Sequence, residues 1–380
     1  MVWIHGGGYG AGGNGFHISA IMATNGNTFI AVSIQYRLGA FGFLSSDEVG
    51  RFGTPNAGIL DQQMALHWVQ QYIHLFGGDS TRVTIFGESA GAGAVMLLNI
   101  AYGGTLGTSS FRNSITSSPY LPFQYGYKDW QPSQAYYAFA AAAGCNVMDA
   151  YLNGGPFQNN QSTSIFKCLS QADSAALIAA NVQESQSGTW GSWAFLPVTD
   201  GRLIQDRPSK QLGERRVNGV NHLAGHNAME GASDNAWGGQ GYKYQFSVPN
   251  AYHGADGAAF LRSPFTTSYY STDFIYAFQR MYGNFIVNDD PSVSSLIANG
   301  VTRQNSTENP LSDFPPYNIY DRQLMDLNTT CPVNIEVGGL PYCTGGNQKN
   351  EFRLADAYSW EGGRGTRCGF WKSVGKLVPE

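Results

Sequence analysis

The sequence predicts an α/β fold with a mostly parallel central sheet and helices on both of its faces. Three observations carry that prediction. Strand and helix signals alternate over the first hundred residues, the strand segments are rich in β-branched and aromatic residues, and no linker or internal repeat interrupts the chain.

Val2-Trp3-Ile4 is a short apolar run stopped by Gly6-Gly7-Gly8. Thr28 to Tyr36 (TFIAVSIQY) has the make-up of a buried parallel strand. From Asp61 to Leu75, the residues Met64, Leu66, Trp68, Val69, Tyr72 and Ile73 recur at roughly helical spacing. Arg82 to Phe86 (RVTIF) reads as a compact strand, followed by small residues and the helix signal Val95-Met96-Leu97-Leu98. Phe111 to Ser117 and Val220 to Gly225 read as further strands, and Gln134 to Gly144 as an Ala-rich helix. Tyr242 to Val248 (YKYQFSV) is expected to be the last strand of the sheet. The whole of 1–380 is therefore expected to form a single domain.

Composition narrows the function. Lys and Arg total 22 against 27 Asp and Glu, a formal charge of −5, which argues against a nucleic-acid partner bound through phosphate neutralisation. Only 13% of residues are charged, about half the ~25% usual in soluble domains, while Gly reaches 48 of 380. A hydrophobic content of 42% excludes a disordered chain, and no uninterrupted run of ~20 apolar residues marks an integral membrane segment. The opening Met1-Val2-Trp3-Ile4-His5 does not read as a signal peptide. Of five cysteines, Cys145 and Cys168 flank a polar segment and are expected to bridge, whereas Cys331, Cys343 and Cys368 leave one unmatched. N-x-S/T triplets at Asn160, Asn305 and Asn328 lean towards a secreted glycoprotein. No Cys/His spacing resembles a metal site, so no metal is expected.

The chemistry-bearing signal is Gly87-Glu88-Ser89-Ala90-Gly91, set between a strand and a helix. A sharp strand-to-helix turn exposes the Ser oxygen only if the residues two before and two after it are nearly free of side chain. His5-Gly6-Gly7-Gly8 follows the first strand and matches the loop that supplies backbone N–H groups to an oxyanion. Glycines let that backbone approach closely, and Gly7, Gly8 and the amide of Ala90 are the expected donors.

A serine nucleophile needs a base, and seven histidines are available. His5 belongs to the oxyanion loop, His67 and His74 fall on the helix before the nucleophile strand, and His17 lies in a loop ahead of it. Chain order in such a site runs Ser, acid, His. His253, just beyond the YKYQFSV strand, suits the last place; His226 is the runner-up, and His222 reads as a satisfied core histidine. Glu230 follows the Val220–Gly225 strand and is the expected acid, with Asp234 the alternative. Asp200 reads as a turn residue, and Glu88 and Asp256 as hydrogen-bonding neighbours of the catalytic groups.

Assembled in this way, the chain resembles the type-B carboxylesterase/lipase family, the cholinesterase-like branch of the α/β-hydrolases. Beyond HGGG and GESAG, the resemblance rests on Asn56-Ala57-Gly58-Ile59-Leu60-Asp61-Gln62, Phe76-Gly77-Gly78-Asp79 and Ala251-Tyr252-His253-Gly254-Ala255-Asp256. Phe274 to Pro291 also fits, and Gly191 to Pro197 with the Trp360 to Trp371 tail resembles secreted fungal members. The resemblance implies an α/β-hydrolase fold, a Glu as triad acid at Glu230, and hydrolysis of small-molecule or lipid esters through an acyl-enzyme, with no cofactor. It also implies two departures. Family members carry a long segment before the HGGG strand, so the fold is expected to be incomplete at the N-terminus, the leader having been lost with it. They also carry a helical insertion after the acid, where only Gly231 to Gly241 joins Glu230 to the next strand, against the dozen or more residues of a parallel crossover. An internal deletion near 237–241 is expected. The alternatives are a catalytically inactive, cholinesterase-like binding protein and a non-functional truncated variant. Trp193 and Phe195 read as core aromatics, with an acyl pocket as the other use.

Overall fold

The computed structural model describes residues 1–14, 18–145, 164–188, 192–228, 241–261, 270–318, 320–331, 333–337, 340–344 and 348–360, with 366, 369, 370 and 373. Its centre is an eight-stranded sheet. The strands are β1 (Val2–Ile4), β2 (Val32–Ser33), β3 (Thr84–Glu88), β4 (Asn113–Ser117), β5 (Asn221–Asn227), β6 (Gly241–Phe246), β7 (Gln323–Thr329) and, after a separate hairpin of β8 (Val333–Val337) and β9 (Leu340–Thr344), β10 (Asn350–Asp356). They lie in the order β10-β7-β6-β5-β4-β3-β1-β2. Every pairing from β2 through β7 is parallel, and β10 closes the far side antiparallel to β7.

Side-chain alternation along the strands builds two cores. Val2 and Ile4 of β1 and Ile85 of β3 face one of them, against the helices Ala57–Tyr72 and Ala90–Ile100. Trp3, Phe86 and Ile115 face the other, where the helix Thr272–Asn288 brings Phe274, Phe278, Tyr282 and Phe285. A parallel sheet covered on both faces needs apolar residues on both, which is why its strands read as continuous runs.

Two expectations about the sheet change. Thr28 to Tyr36 supplies only the short strand Val32–Ser33, because β2 is the end strand and hydrogen-bonds to β1 alone. The YKYQFSV strand is not the last: β7 and β10 follow it in the same sheet. Their sequences, QLMDLNT and NEFRLAD, carry charges that mask the strand signal. Asp326 of β7 is fully buried and accepts from Arg353 Nε of β10 at 2.8 Å, so the charge that obscures β7 is paired across the ladder.

The disulfide expected between Cys145 and Cys168 is formed, and Cys331 bonds Cys343. Cys368 lies outside the described residues, as do Asn160, His17, Glu230, Asp234 and most of the connection in which a deletion is expected. β5 and β6, which that connection joins, are adjacent and parallel. No helix among the described residues is long and apolar enough to cross a membrane.

Candidate active site

In an open parallel sheet, the carboxyl ends of the strands are where ligands bind. Register aligns three of those ends: Glu88 of β3 lies opposite Ser117 of β4, which lies opposite Gly225 of β5. The residue after Glu88 is Ser89, with φ 56° and ψ −124°, at the N-terminus of the buried helix Ala90–Ile100. A non-Gly residue rarely holds this conformation unless its surroundings fix it. Here the Ser89 amide donates to the Ser117 carbonyl at 3.0 Å, and its own carbonyl accepts from Gly93 and Tyr120, each at 2.9 Å.

The flanking glycines of the turn have a steric reason. A Cβ on Gly87 would come within 2.3 Å of the Gly91 backbone, and one on Gly91 within 2.1 Å of the Ile4 carbonyl. The helix therefore starts in contact with β1, and the HGGG segment leaving β1 runs beside the serine. A Cβ on Gly6 would lie 2.9 Å from that of Ser89. Gly7 and Gly8 both have positive φ, 112° and 66°. The turn is closed by the Ala11 amide donating to the Gly7 carbonyl at 2.9 Å. Among the described residues, the amides of Gly7, Gly8 and Ala90 donate to no protein acceptor.

His5 lies inward of this loop. It is 1% exposed, its ring stacked on Tyr36 at 4.5 Å and its Nδ1 2.9 Å from the Gly6 carbonyl, and burial lowers its pKa. The structure keeps it as a scaffold of the loop.

Of the remaining histidines, His253 meets the serine: its Nε2 is 2.7 Å from Ser89 Oγ. It sits after β6, its side chain about half exposed, with Glu88 Oε1 4.0 Å from the same nitrogen. His226 is fully buried on β5 against Gln245 Oε1, at 3.1 Å. His222 is also buried, its ring nitrogens 2.8 Å from Ser114 Oγ and 3.2 Å from Thr116 Oγ1. Burial lowers its pKa to about 3, so it is a neutral core histidine as its strand position indicated. His67 and His74 are exposed on the outer face of their helical segment.

Two residues named from the sequence have contacts here that it did not specify. Asp256, three residues past His253, is fully buried. Its carboxylate accepts from Ser117 Oγ at 2.5 Å, Tyr244 OH at 3.1 Å and Asn227 Nδ2 at 3.1 Å, tying the His253 loop to the ends of β4 and β5. Burial, with nearby acidic groups adding to it, raises the Tyr244 and Tyr282 phenols well above their ordinary range. The second is Trp193. Its indole covers the HGGG loop so closely that a Cβ on Gly8 would fall 1.8 Å from Nε1, and one on Gly10 2.4 Å from Cε3. Trp193 also lines a recess with Phe43, Phe123, Tyr125 and Leu196. Phe195 lines the same recess and is itself buried in the core. Asp200 caps a turn, accepting from the amides of Arg202 and Ile204. Among the described residues no three His, Cys, Asp or Glu side chains gather in a metal-binding arrangement.

Comparison with known proteins agrees with this architecture. The chain is 36% identical to carboxylesterase patB of Aspergillus clavatus over 204 residues, 53% of this chain and 33% of that protein. It is 32% identical to human (Homo sapiens) neuroligin-3 over 256 residues, 66% of this chain and 28% of that one. The chain thus spans about a third of the length of the curated relatives it matches. The crystal structure of Aspergillus niger EstA superposes with a TM-score of 0.72 at 22% identity, covering 99% of this chain and 81% of that one, which shows the α/β-hydrolase fold. The carboxylesterase family model matches residues 1–241, which include the HGGG segment, Ser89 and Glu230. The chain belongs to the carboxylesterase family.

Proposed function

We propose that this chain hydrolyses carboxylic esters through an acyl-enzyme on Ser89, with His253 as base and Glu230 as the acid of the triad. The observation that carries the reading is the 2.7 Å contact between Ser89 Oγ and His253 Nε2 on a serine turned out of the helix. His253 takes the proton as Ser89 Oγ attacks the ester carbonyl, and the amides of Gly7, Gly8 and Ala90 meet the oxyanion. The protonated imidazole then gives its proton to the leaving alcohol. Water repeats the attack on the acyl-enzyme, releasing the carboxylic acid and the free serine. Glu230, which lies outside the described residues, orients the imidazole and stabilises its charged form.

Ser89→Ala is expected to abolish hydrolysis of a short p-nitrophenyl ester with an unchanged circular dichroism spectrum; undiminished turnover would refute the assignment.

A second reading has its own support, because the match to neuroligin-3 is longer than that to carboxylesterase patB. On that reading the protein binds a partner and the serine is idle. A fluorophosphonate probe separates the two: covalent labelling of Ser89, lost in Ser89→Ala and His253→Ala, belongs to a working hydrolase.

The same reading includes secretion, since the two disulfides suit an oxidising compartment. It also includes one domain over 1–380 with a segment lost near 237–241, where the family model's match ends. Transcript sequencing across Trp237 to Gly241 tests the latter; continuous coding sequence there would sink it.

A further inference from the structure

The N-x-S/T triplets play no part in ester chemistry, and the fold treats two of them in opposite ways. Asn328 lies within β7, between β6 and β10, paired in register with Glu351. Its side chain is half-buried and its Oδ1 accepts from the Thr329 amide at 2.8 Å, while the Thr330 hydroxyl accepts from the Lys349 amide at 2.8 Å. A branched, hydrated oligosaccharide on this residue would have to share space with two neighbouring strands.

Asn305 stands on a surface loop between the short helical turns Val301–Arg303 and Pro310–Asp313. Residues 304–308 are all exposed. Asn305 Oδ1 accepts from the Thr307 amide at 3.0 Å, and Asn299 Nδ2 holds the loop from beneath through the Thr307 carbonyl at 2.6 Å. That bond engages the oxygen of the side-chain amide and leaves Nδ2 without a protein acceptor among the described residues. The Thr307 hydroxyl that completes the triplet is on the same exposed turn. Loops of this kind accept a bulky polar addition because no packed backbone lies over them.

We propose that Asn305 is a site of N-linked glycosylation and that Asn328 is not. In the reaction Asn305 Nδ2 bonds to the anomeric carbon of a lipid-pyrophosphate-linked oligosaccharide. The anomeric carbon–oxygen bond breaks, the lipid pyrophosphate leaves with the electron pair, and the amide loses one proton. The proposal is independent of the esterase reading and requires only passage through the secretory pathway, which the two disulfides favour.

The test is to express the full chain behind an added leader in a yeast and digest it with peptide-N-glycosidase in heavy-oxygen water. Each released glycan then leaves a labelled Asp for mass spectrometry. Label is expected at Asn305 and not at Asn328. Asn305→Gln and Thr307→Ala should each abolish the Asn305 label, whereas Ser306→Ala should keep it. An unlabelled Asn305 in protein recovered from the medium, or label on Asn328 in folded protein, overturns the proposal. If no protein reaches the medium, the same peptides are read from the membrane-enclosed fraction, where an unlabelled Asn305 overturns it equally.

Discussion

At Ser89 the backbone sets the geometry of the proposed nucleophile: a positive φ lifts the hydroxyl out of the helix that begins beside it, towards His253. The same economy of side chain operates at Gly8, whose amide is a proposed oxyanion donor and whose face is covered by Trp193. Gly8→Ala would press a methyl into the indole and strain a φ of 66°. On the proposed role, kcat should fall about 10²–10³-fold with little change in the circular dichroism spectrum. A rise in KM with kcat unchanged would mean the loop only binds substrate. The acid offers a sharper contrast. Glu230→Gln should lower kcat by about 10²–10⁴-fold, with the tautomer of the base no longer held, while Asp234→Asn should change it by less than about threefold. The reverse ranking would transfer the role to Asp234.

Among the elements, the helix Ala90–Ile100 packs directly onto the end of β1. All eleven helix residues are buried, and Gly91 lets the helix meet the Ile4 carbonyl. Gly91→Ala puts a methyl 2.1 Å from that oxygen, where both sides are backbone and neither yields easily. The expected cost is about 1–3 kcal/mol, read as a lower denaturant midpoint with an unchanged slope. The strand Thr84–Glu88, the helix after it and the HGGG turn were legible because small residues at fixed offsets are a strong local signal. β7 and β10 were not, because burying Asp326 depends on Arg353 from another strand, and pairing between distant residues leaves no periodic trace. The Asp256 network escaped for the same reason: Ser117, Asn227 and Tyr244 come from three different strands, and a lone Asp three residues after a histidine says nothing of them.

For the whole molecule, pH should act through His222, buried on β5 with its ring against Ser114 and Thr116 of β4. Burial holds its pKa at about 3, against about 6.5 when unfolded. Between those values the unfolded chain takes up a proton that the folded chain refuses. Folded stability therefore rises with pH through this window and declines as pH falls from 6.5 towards 3. The slope from this residue approaches about 1.4 kcal/mol per pH unit in mid-window. Chemical denaturation at pH 7, 5.5 and 4 should show the decline, and His222→Gln should flatten it. An equal slope in the variant would assign the acid sensitivity to other groups.

The sequence by itself determined the α/β class, where most of the central strands fall along the chain, the family, and the two glycine-rich segments that flank the candidate site. Each of these rests on local rules: apolar runs for buried strands, bare backbone for sharp turns, and recurring motifs at fixed spacing. Only the tertiary structure decided which histidine reaches Ser89, that Trp193 roofs the HGGG loop, that two charged strands extend the sheet, and that Asn305 and Asn328 differ in exposure. Those facts belong to contacts between residues far apart in the chain, and only a folded backbone brings them within a few ångströms.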